Sequence, residues 1–236
     1  EVGKHLPRTA DHADRFHNES LVMISFIGTS FAPTHLKAAA IKRGFQVTDD
    51  YTKANLVFVS EDTPTWLGRR DVSYIRNILR GITTHGVLVL TSQVYPGFTR
   101  SLGRPIYHIA ETLRVKDAEE RALHPEQFII GCEFPERSLP AALLNYVAPF
   151  NCPVFRMTWE EAEFAKIAIN MTLAAQVDSA NRLSKVAEKL GVDWDVIKNV
   201  LKHDRRIGKY SYLEPGDWKK SSHLLRDYVT VQDLEK

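Results

Sequence analysis

An α/β fold is expected for this chain, with a parallel-sheet domain followed by an all-α domain built on one long helix. Three patterns predict it. Over the first two thirds, short strands that are apolar almost throughout alternate with helical segments. Strands of that kind are buried on both faces, which indicates a parallel sheet covered by helices on both sides. Next, Trp159 to Leu190 runs without glycine or proline, about nine turns at 3.6 residues each. Finally, Gly28 closes the first apolar run, where a phosphate-binding turn would open the first helix.

The elements follow in order. Residues 1–19 are polar and carry His5, His12 and His17 without metal-ligand spacing, so a flexible leader is expected. Leu21 to Ile27 reads as the first strand, and helical spacing through Leu36, Ala39 and Ala40 lasts to Gly44. Phe45-Gln46-Val47 is a second short strand, Leu56 to Val59 a third, Val72 to Leu79 a helix and Val87 to Leu90 a further strand. The expected unit is a Rossmann-like domain over residues 20–153. A helical central and dimerisation domain should occupy 154–236, with apolar positions at Phe164, Ile167, Ala168, Met171, Ala174, Ala175 and Val186. Gly191 ends the long helix, and Val192-Asp193 opens another running to about His203. A helix of this length crosses between domains or supports a subunit interface, so a homodimer through residues 159–190 is expected.

Composition excludes several classes. With 31 basic and 29 acidic residues, the net charge of +2 implies neither nucleic acid nor an anionic membrane as partner. No apolar run reaches the ~20 residues of a membrane span, and no secretory pattern opens the chain. The sequence begins at Glu1 rather than at a methionine. Cys132 and Cys152 are the only thiols and stand outside any C-x-x-C or His-rich setting. They suit a structural role in a reducing, cytoplasmic compartment, and no metal site is expected.

Several segments together carry a resemblance. Lys166 and Asn170 are followed by Asp204-Arg205-Arg206-Ile207-Gly208, and then by Pro215-Gly216-Asp217-Trp218-Lys219-Lys220-Ser221-Ser222-His223-Leu224-Leu225-Arg226-Asp227. These are similar to the K-x-x-x-N, D-x-R-I-G and P-G-x-G-aromatic-G-G-S-C-F-x-K-D motifs of the UDP-glucose/GDP-mannose dehydrogenase family. Without a gap, Pro215, Gly216, Ser222 and Asp227 match, while the catalytic cysteine falls on His223 and the lysine on Arg226. Ile27 to Pro33, with Gly44 to Val47, resembles I-G-x-G-Y-V-G and G-H-x-V, with Gly28 alone kept of three glycines. Thr63-Pro64-Thr65 and Asp71 to Ile75 resemble P-T-P and D-L-S-Y-V. Ser92 to Thr99 resembles S-T-V-P-P-G-T-T, with Gln93 on its first threonine. Glu111 to Arg114, Ala118 and His124 to Gly131 resemble P-E-F-L-x-E-G, A and N-P-D-R-I-V-I-G, with Val115 on the second glutamate.

The resemblance implies a short, divergent member without the thiolate and without the second, UDP-binding domain. It implies a catalytic set of Glu111, Lys166, Asn170, His223 and Asp227, with Glu111 moving a proton through water. It implies NAD held by Gly28, Ser30, Phe31, Thr63, Ser92, Gln93 and Arg226, and a nucleotide sugar or sugar met by Arg206 and Tyr212. It sets the chain in cytoplasmic polysaccharide biosynthesis. Ser30 puts a side chain where diphosphate would approach. Asp49 or Asp50 serves the ribose or is a turn residue. Lys166 and Asn170, four apart, share one helix face, where they suit oxyanion stabilisation or a plain polar stripe. A thiolate would trap an aldehyde for a second oxidation, and histidine does not replace it. His223 is then a general base for one oxidation or a mark of a dead site. Two functions follow: a nucleotide-sugar dehydrogenase-like oxidoreductase making at most one NAD-dependent alcohol oxidation, as in a UDP-glucose 6-dehydrogenase, or a catalytically inactive homologue acting as a dimeric scaffold or regulatory protein.

Overall fold

The computed structural model describes residues 22–236; the leader expected at 1–19 lies outside the described residues. The chain runs β1 (Met23–Ile27), α1 (Phe31–Lys42), β2 (Gln46–Val47), β3 (Leu56–Val59), β4 (Thr65–Trp66), β5 (Arg69–Arg70), α2 (Ser73–Gly81), β6 (Val87–Leu90) and β7 (Tyr107–Ile109). It continues through α3 (Ala118–Leu123), β8 (Phe128–Cys132), α4 (Ala141–Val147), β9 (Val154–Thr158), α5 (Trp159–Leu190), α6 (Trp194–His203) and α7 (Ser222–Leu234). Seven strands form one sheet in the order β2-β1-β3-β6-β7-β8-β9.

Register aligns Ile24 with Leu56 and Leu56 with Val87 in parallel ladders. β7 and β8 pair antiparallel, His108 facing Gly131, so β8 and β9 run against the rest. The fold is thus α/β and Rossmann-like as expected, with one reversed pair where a wholly parallel sheet was expected. β7 and β8 are neighbours in the sheet and pair antiparallel, so the chain reverses direction between them. Val154–Thr158 pairs with β8, so sheet pairing continues past residue 153.

Both faces are covered. Ile24, Phe58, Val89 and Ile130 pack under Leu143, Tyr146 and Phe150 on one side. Val57, Val59, Leu88 and Leu90 pack under Ile75 and Leu79 of α2 on the other. Helix α5 lies over β7 and β8, where a side chain at Gly131 would put its Cβ 2.8 Å from Ala162 Cβ and 3.0 Å from Trp159 Cα. Only hydrogen at that position allows the close approach.

Helix α5 starts at a capping box in which Thr158 and Glu161 satisfy each other's backbone amides, and it stops at Gly191 with φ +65°. Its 32 residues span about 48 Å. The first turns lie on the sheet, and the rest carry α6 and α7. One unanticipated element matters for the site. The β4–β5 hairpin turns through Leu67 and Gly68, both with positive φ, and delivers Arg70 beneath α7. Among the described residues, no helix is long and apolar enough to cross a membrane.

Candidate functional site

Asp227, on α7, is fully buried and forms the hub. Asn170 of α5 donates to its Oδ2 at 2.7 Å, Gln93 donates to the same oxygen, and Arg70 forms an ion pair with Oδ1. Arg70 is as deeply buried as its partner and also donates to Gln93 O at 3.0 Å, Thr63 Oγ1 at 3.2 Å and Thr230 Oγ1 at 3.2 Å. Burial pushes the Asp227 carboxyl up, and the Arg70 guanidinium, Asn170 and Lys166 pull against it. A carboxylate removed from water is held ionised only by such partners.

Glu111 lies just past β7 and Lys166 on α5, near enough for the charge of each to act on the other. Burial raises the Glu111 carboxyl, opposed chiefly by the Lys166 charge. Burial lowers the Lys166 ammonium, opposed by Glu111 and then Asp227. Desolvation thus moves the two pKa values toward each other, upward for the acid and downward for the base. The Glu111 carboxylate also accepts the Leu113 amide hydrogen, fixing its rotamer. A small cavity of about 50 Å³ adjoins it, lined by Glu111, Arg121 and Gln127 among apolar residues.

His223 lies one turn before Asp227 on α7, and burial, then the nearby Arg226 charge, lowers its pKa. Its Nδ1 contacts Arg226 Nη2. Because a guanidinium only donates, Nδ1 is the acceptor and the neutral ring carries its proton on Nε2. In this arrangement the Nδ1 lone pair of His223 is occupied by Arg226, and Nε2 carries the ring's hydrogen. Arg226 is itself committed to Asp62 and to Thr63 O at 3.2 Å.

The nucleotide end sits where the strand order turns, between β1 and β3, the place such sheets use for ligands. Gly28, at φ +135°, packs so closely on β3 that a Cβ would lie 1.8 Å from Ser60 O. Ser30 Oγ donates to the same carbonyl at 3.2 Å. The Thr29 amide donates to Glu61 Oε1 at 2.8 Å, and the Thr29 hydroxyl is within 3.3 Å of both carboxylate oxygens. Glu61 is buried, and its own amide donates to Ser92 Oγ at 2.8 Å. A carboxylate of the chain thus fills the turn that would receive a diphosphate. As folded, these residues do not fit NAD.

The remaining expected residues divide. Thr63, Ser92, Gln93 and Arg226 are tied into the protein as described, and Phe31 stands partly exposed, its ring 4.4 Å from that of His35. Asp50 accepts from Thr52 in its own turn, and Asp49 pairs with Lys37 at 2.6 Å. Both are accounted for without a ribose. Arg206 is exposed, its fork held by Asp204 at 2.6 Å, outside the hub. The Tyr212 amide donates to Gln176 Oε1 at 2.8 Å.

Sequence reasoning missed three residues. Arg70 and Glu61 sit in segments read as connections. Glu163, buried on α5, accepts the Gly97 and Thr99 amides at 2.6 and 2.8 Å, anchoring the loop that carries Gln93. An acid at the helix position three before Lys166 was the signal available for Glu163. Among the described residues, no cluster of metal-ligating side chains occurs, and both cysteines are free thiols.

The fold and these side chains define an α/β protein in which a Rossmann-like sheet meets a long-helix segment over a cluster of buried charged and polar side chains. Residues 160–221 match the UDP-glucose/GDP-mannose dehydrogenase family, central domain. The chain is 24% identical over 181 residues to the UDP-glucose 6-dehydrogenase YwqF of Bacillus subtilis, covering 70% of this chain and 40% of that protein. It is 25% identical over 202 residues to the GDP-mannose 6-dehydrogenase of Pseudomonas aeruginosa, covering 72% and 45%. The chain thus spans less than half the length of these curated relatives. Its fold resembles that of a UDP-glucose dehydrogenase from Pyrobaculum islandicum at TM-score 0.69 and 19% identity, covering 93% of this chain and 69% of the other. The GDP-mannose dehydrogenase of Pseudomonas aeruginosa aligns at TM-score 0.66 and 20% identity, covering 82% and 59%. The likeness to the UDP-glucose/GDP-mannose dehydrogenase family is thus carried in sequence by residues 160–221, and in fold by most of the chain.

Proposed function

We propose that this protein is a dehydrogenase-like oxidoreductase whose acid–base centre handles one hydroxyl of a sugar or nucleotide sugar, as in a UDP-glucose 6-dehydrogenase, and stops at the carbonyl. The observation that carries this reading is the Glu111–Lys166 pair, an acid raised and a base lowered by the same burial. Glu111 takes the hydroxyl proton, Lys166 supplies positive charge to the oxygen as it becomes anionic, and the His223 Nε2 hydrogen orients the sugar. Asn170 spends a donor on Asp227, so it positions the hub and leaves its carbonyl oxygen for the ligand. Asp227 holds Asn170, Gln93 and Arg70 in register. The second oxidation of the family needs a thiolate, and the described site offers none. Oxidation to the carbonyl removes a hydride as well as the proton, and the resemblance implies NAD, added from solution, as its acceptor; because the turn does not admit NAD as folded, the reaction is expected to be slow, and the roles assigned to the chain's own residues concern the proton alone.

Incubation with UDP-glucose and millimolar NAD, with hydroxylamine as trap and mass spectrometry as readout, tests this. A slow aldehyde product, absent in Glu111→Gln, is expected. Uronate would overturn the reading, and so would the absence of any carbonyl product.

Absence of product would favour a second reading, a catalytically inactive dimeric scaffold or regulatory homologue. The exposed apolar side of α5 and α6, with Phe164, Leu183, Val186, Leu190, Val196 and Val200, supports a homodimer under either reading. Free thiols suit the cytoplasm as its setting.

A further inference from the structure

The disagreement between the fold's ligand crevice and its contents has one named cause. We propose that Glu61 is the specificity-determining residue of the β1–β3 crevice, an internal anion that competes with dinucleotide diphosphate for the donors of the β1–α1 turn. This proposal stands apart from the proton chemistry assigned to Glu111 and Lys166.

The geometry is a built site rather than a stray contact. The Thr29 amide and hydroxyl both address the Glu61 carboxylate. The segment bearing it is pinned from two sides. Ser60 donates its amide to Ile27 O at 2.9 Å, and Glu61 donates its own to Ser92 Oγ at 2.8 Å. The contact between Gly28 and Ser60 O seats the turn directly against the end of β3 and leaves no room for it to move closer. A buried carboxylate requires hydrogen bonds to its charged form, and here the turn supplies them.

An arriving diphosphate brings negative charge to the same donors and meets a like charge in low dielectric. It binds only when Glu61 has swung out, so its apparent affinity is reduced by the fraction of molecules in that open form. The neighbouring acid does not share this role. Asp62 points away, largely exposed and paired with Arg226.

The experiment is fluorescence titration of NADH into the purified chain, its Glu61→Gln and Glu61→Ala variants, and Asp62→Asn. Glu61→Gln keeps the shape and the contact to Thr29 while removing the charge, and a thermal melt checks folding. At least about tenfold tighter binding by both Glu61 variants is expected, with Asp62→Asn within about twofold of the parent chain. Equal affinity in parent and Glu61 variants overturns the proposal. So does no binding in any of them, which would mean that other groups close the crevice. An equal gain in Asp62→Asn overturns it too, because bulk acidity rather than the Glu61 seat would then be responsible. The readout is cofactor affinity, so its failure leaves the assignment of Glu111 standing, and loss of aldehyde formation leaves this one standing.

Discussion

The two ends of the crevice treat charge in opposite ways. At the α5–α7 end, Asp227 is buried among Arg70, Asn170 and Gln93, and the charges of Glu111 and Lys166 act on one another, so each charge meets a donor or an opposite charge. At the β1–α1 end, the donors meet a carboxylate from the next strand, leaving an exogenous anion to displace it. The contrast is between a cluster in which buried charges are matched by one another and a turn whose donors are taken by a carboxylate of the same chain. The first end is held by long-range contacts between α5, α7 and the hairpin. The second is closed by residues only about thirty apart, which a few substitutions can rewrite.

The comparison breaks most visibly at the buried pair. Asp227→Ala leaves Arg70 buried and uncompensated, and chemical denaturation should show a loss of about 3–5 kcal/mol. The double variant Arg70→Met/Asp227→Leu should recover much of it. A loss below ~1 kcal/mol, the range of an exposed pair, would mean that the hub is solvated.

A second measurement concerns His108, on the strand leading to Glu111. It is buried, its Nδ1 has no partner, and burial alone lowers its pKa to about 4 from 6.5. The unfolded chain then binds a proton that the folded chain refuses. Stability should therefore be unaffected above pH 6.5, fall as pH drops from 6.5 to 4, and level off below, by about 3 kcal/mol in all. His108→Leu should remove that part of the pH slope in denaturation series.

A smaller effect is expected where α5 meets the sheet. Gly131→Ala must push Ala162 and Trp159 away, costing about 1–3 kcal/mol and shifting Lys166 relative to Glu111. Removing the helix cap with Thr158→Ala should cost about 1 kcal/mol, with no change at the β1–α1 turn. The subtlest test is at the acid–base pair itself. Lys166→Met removes the main charge holding Glu111 down, so carboxyl NMR should find Glu111 titrating higher still than in the parent chain.

Much of the fold was legible because its signals are local. Leu56–Val59, Val87–Leu90 and Trp159–Leu190 follow the apolar runs and the helix bounds read from the sequence. The reversed β7–β8 pair was not legible, since strand direction depends on how the intervening chain packs. In the site, Glu111, Lys166, Asn170, His223 and Asp227 were named from motifs, and all lie at or beside the hub. Arg206 was named as well, and it lies in solvent paired with Asp204.

By itself, the sequence determined which segments are the main strands and helices and that Gly191 ends the long helix. These are matters of residue identity and short-range periodicity. Tertiary structure alone decided that Arg70, 157 residues from Asp227, neutralises it. The same is true of the His223 tautomer set by Arg226 and of Glu61 sitting on the Thr29 amide. Each of these depends on burial and on partners brought together by the sheet, because a charge in low dielectric takes its character from its neighbours rather than from its place in the chain.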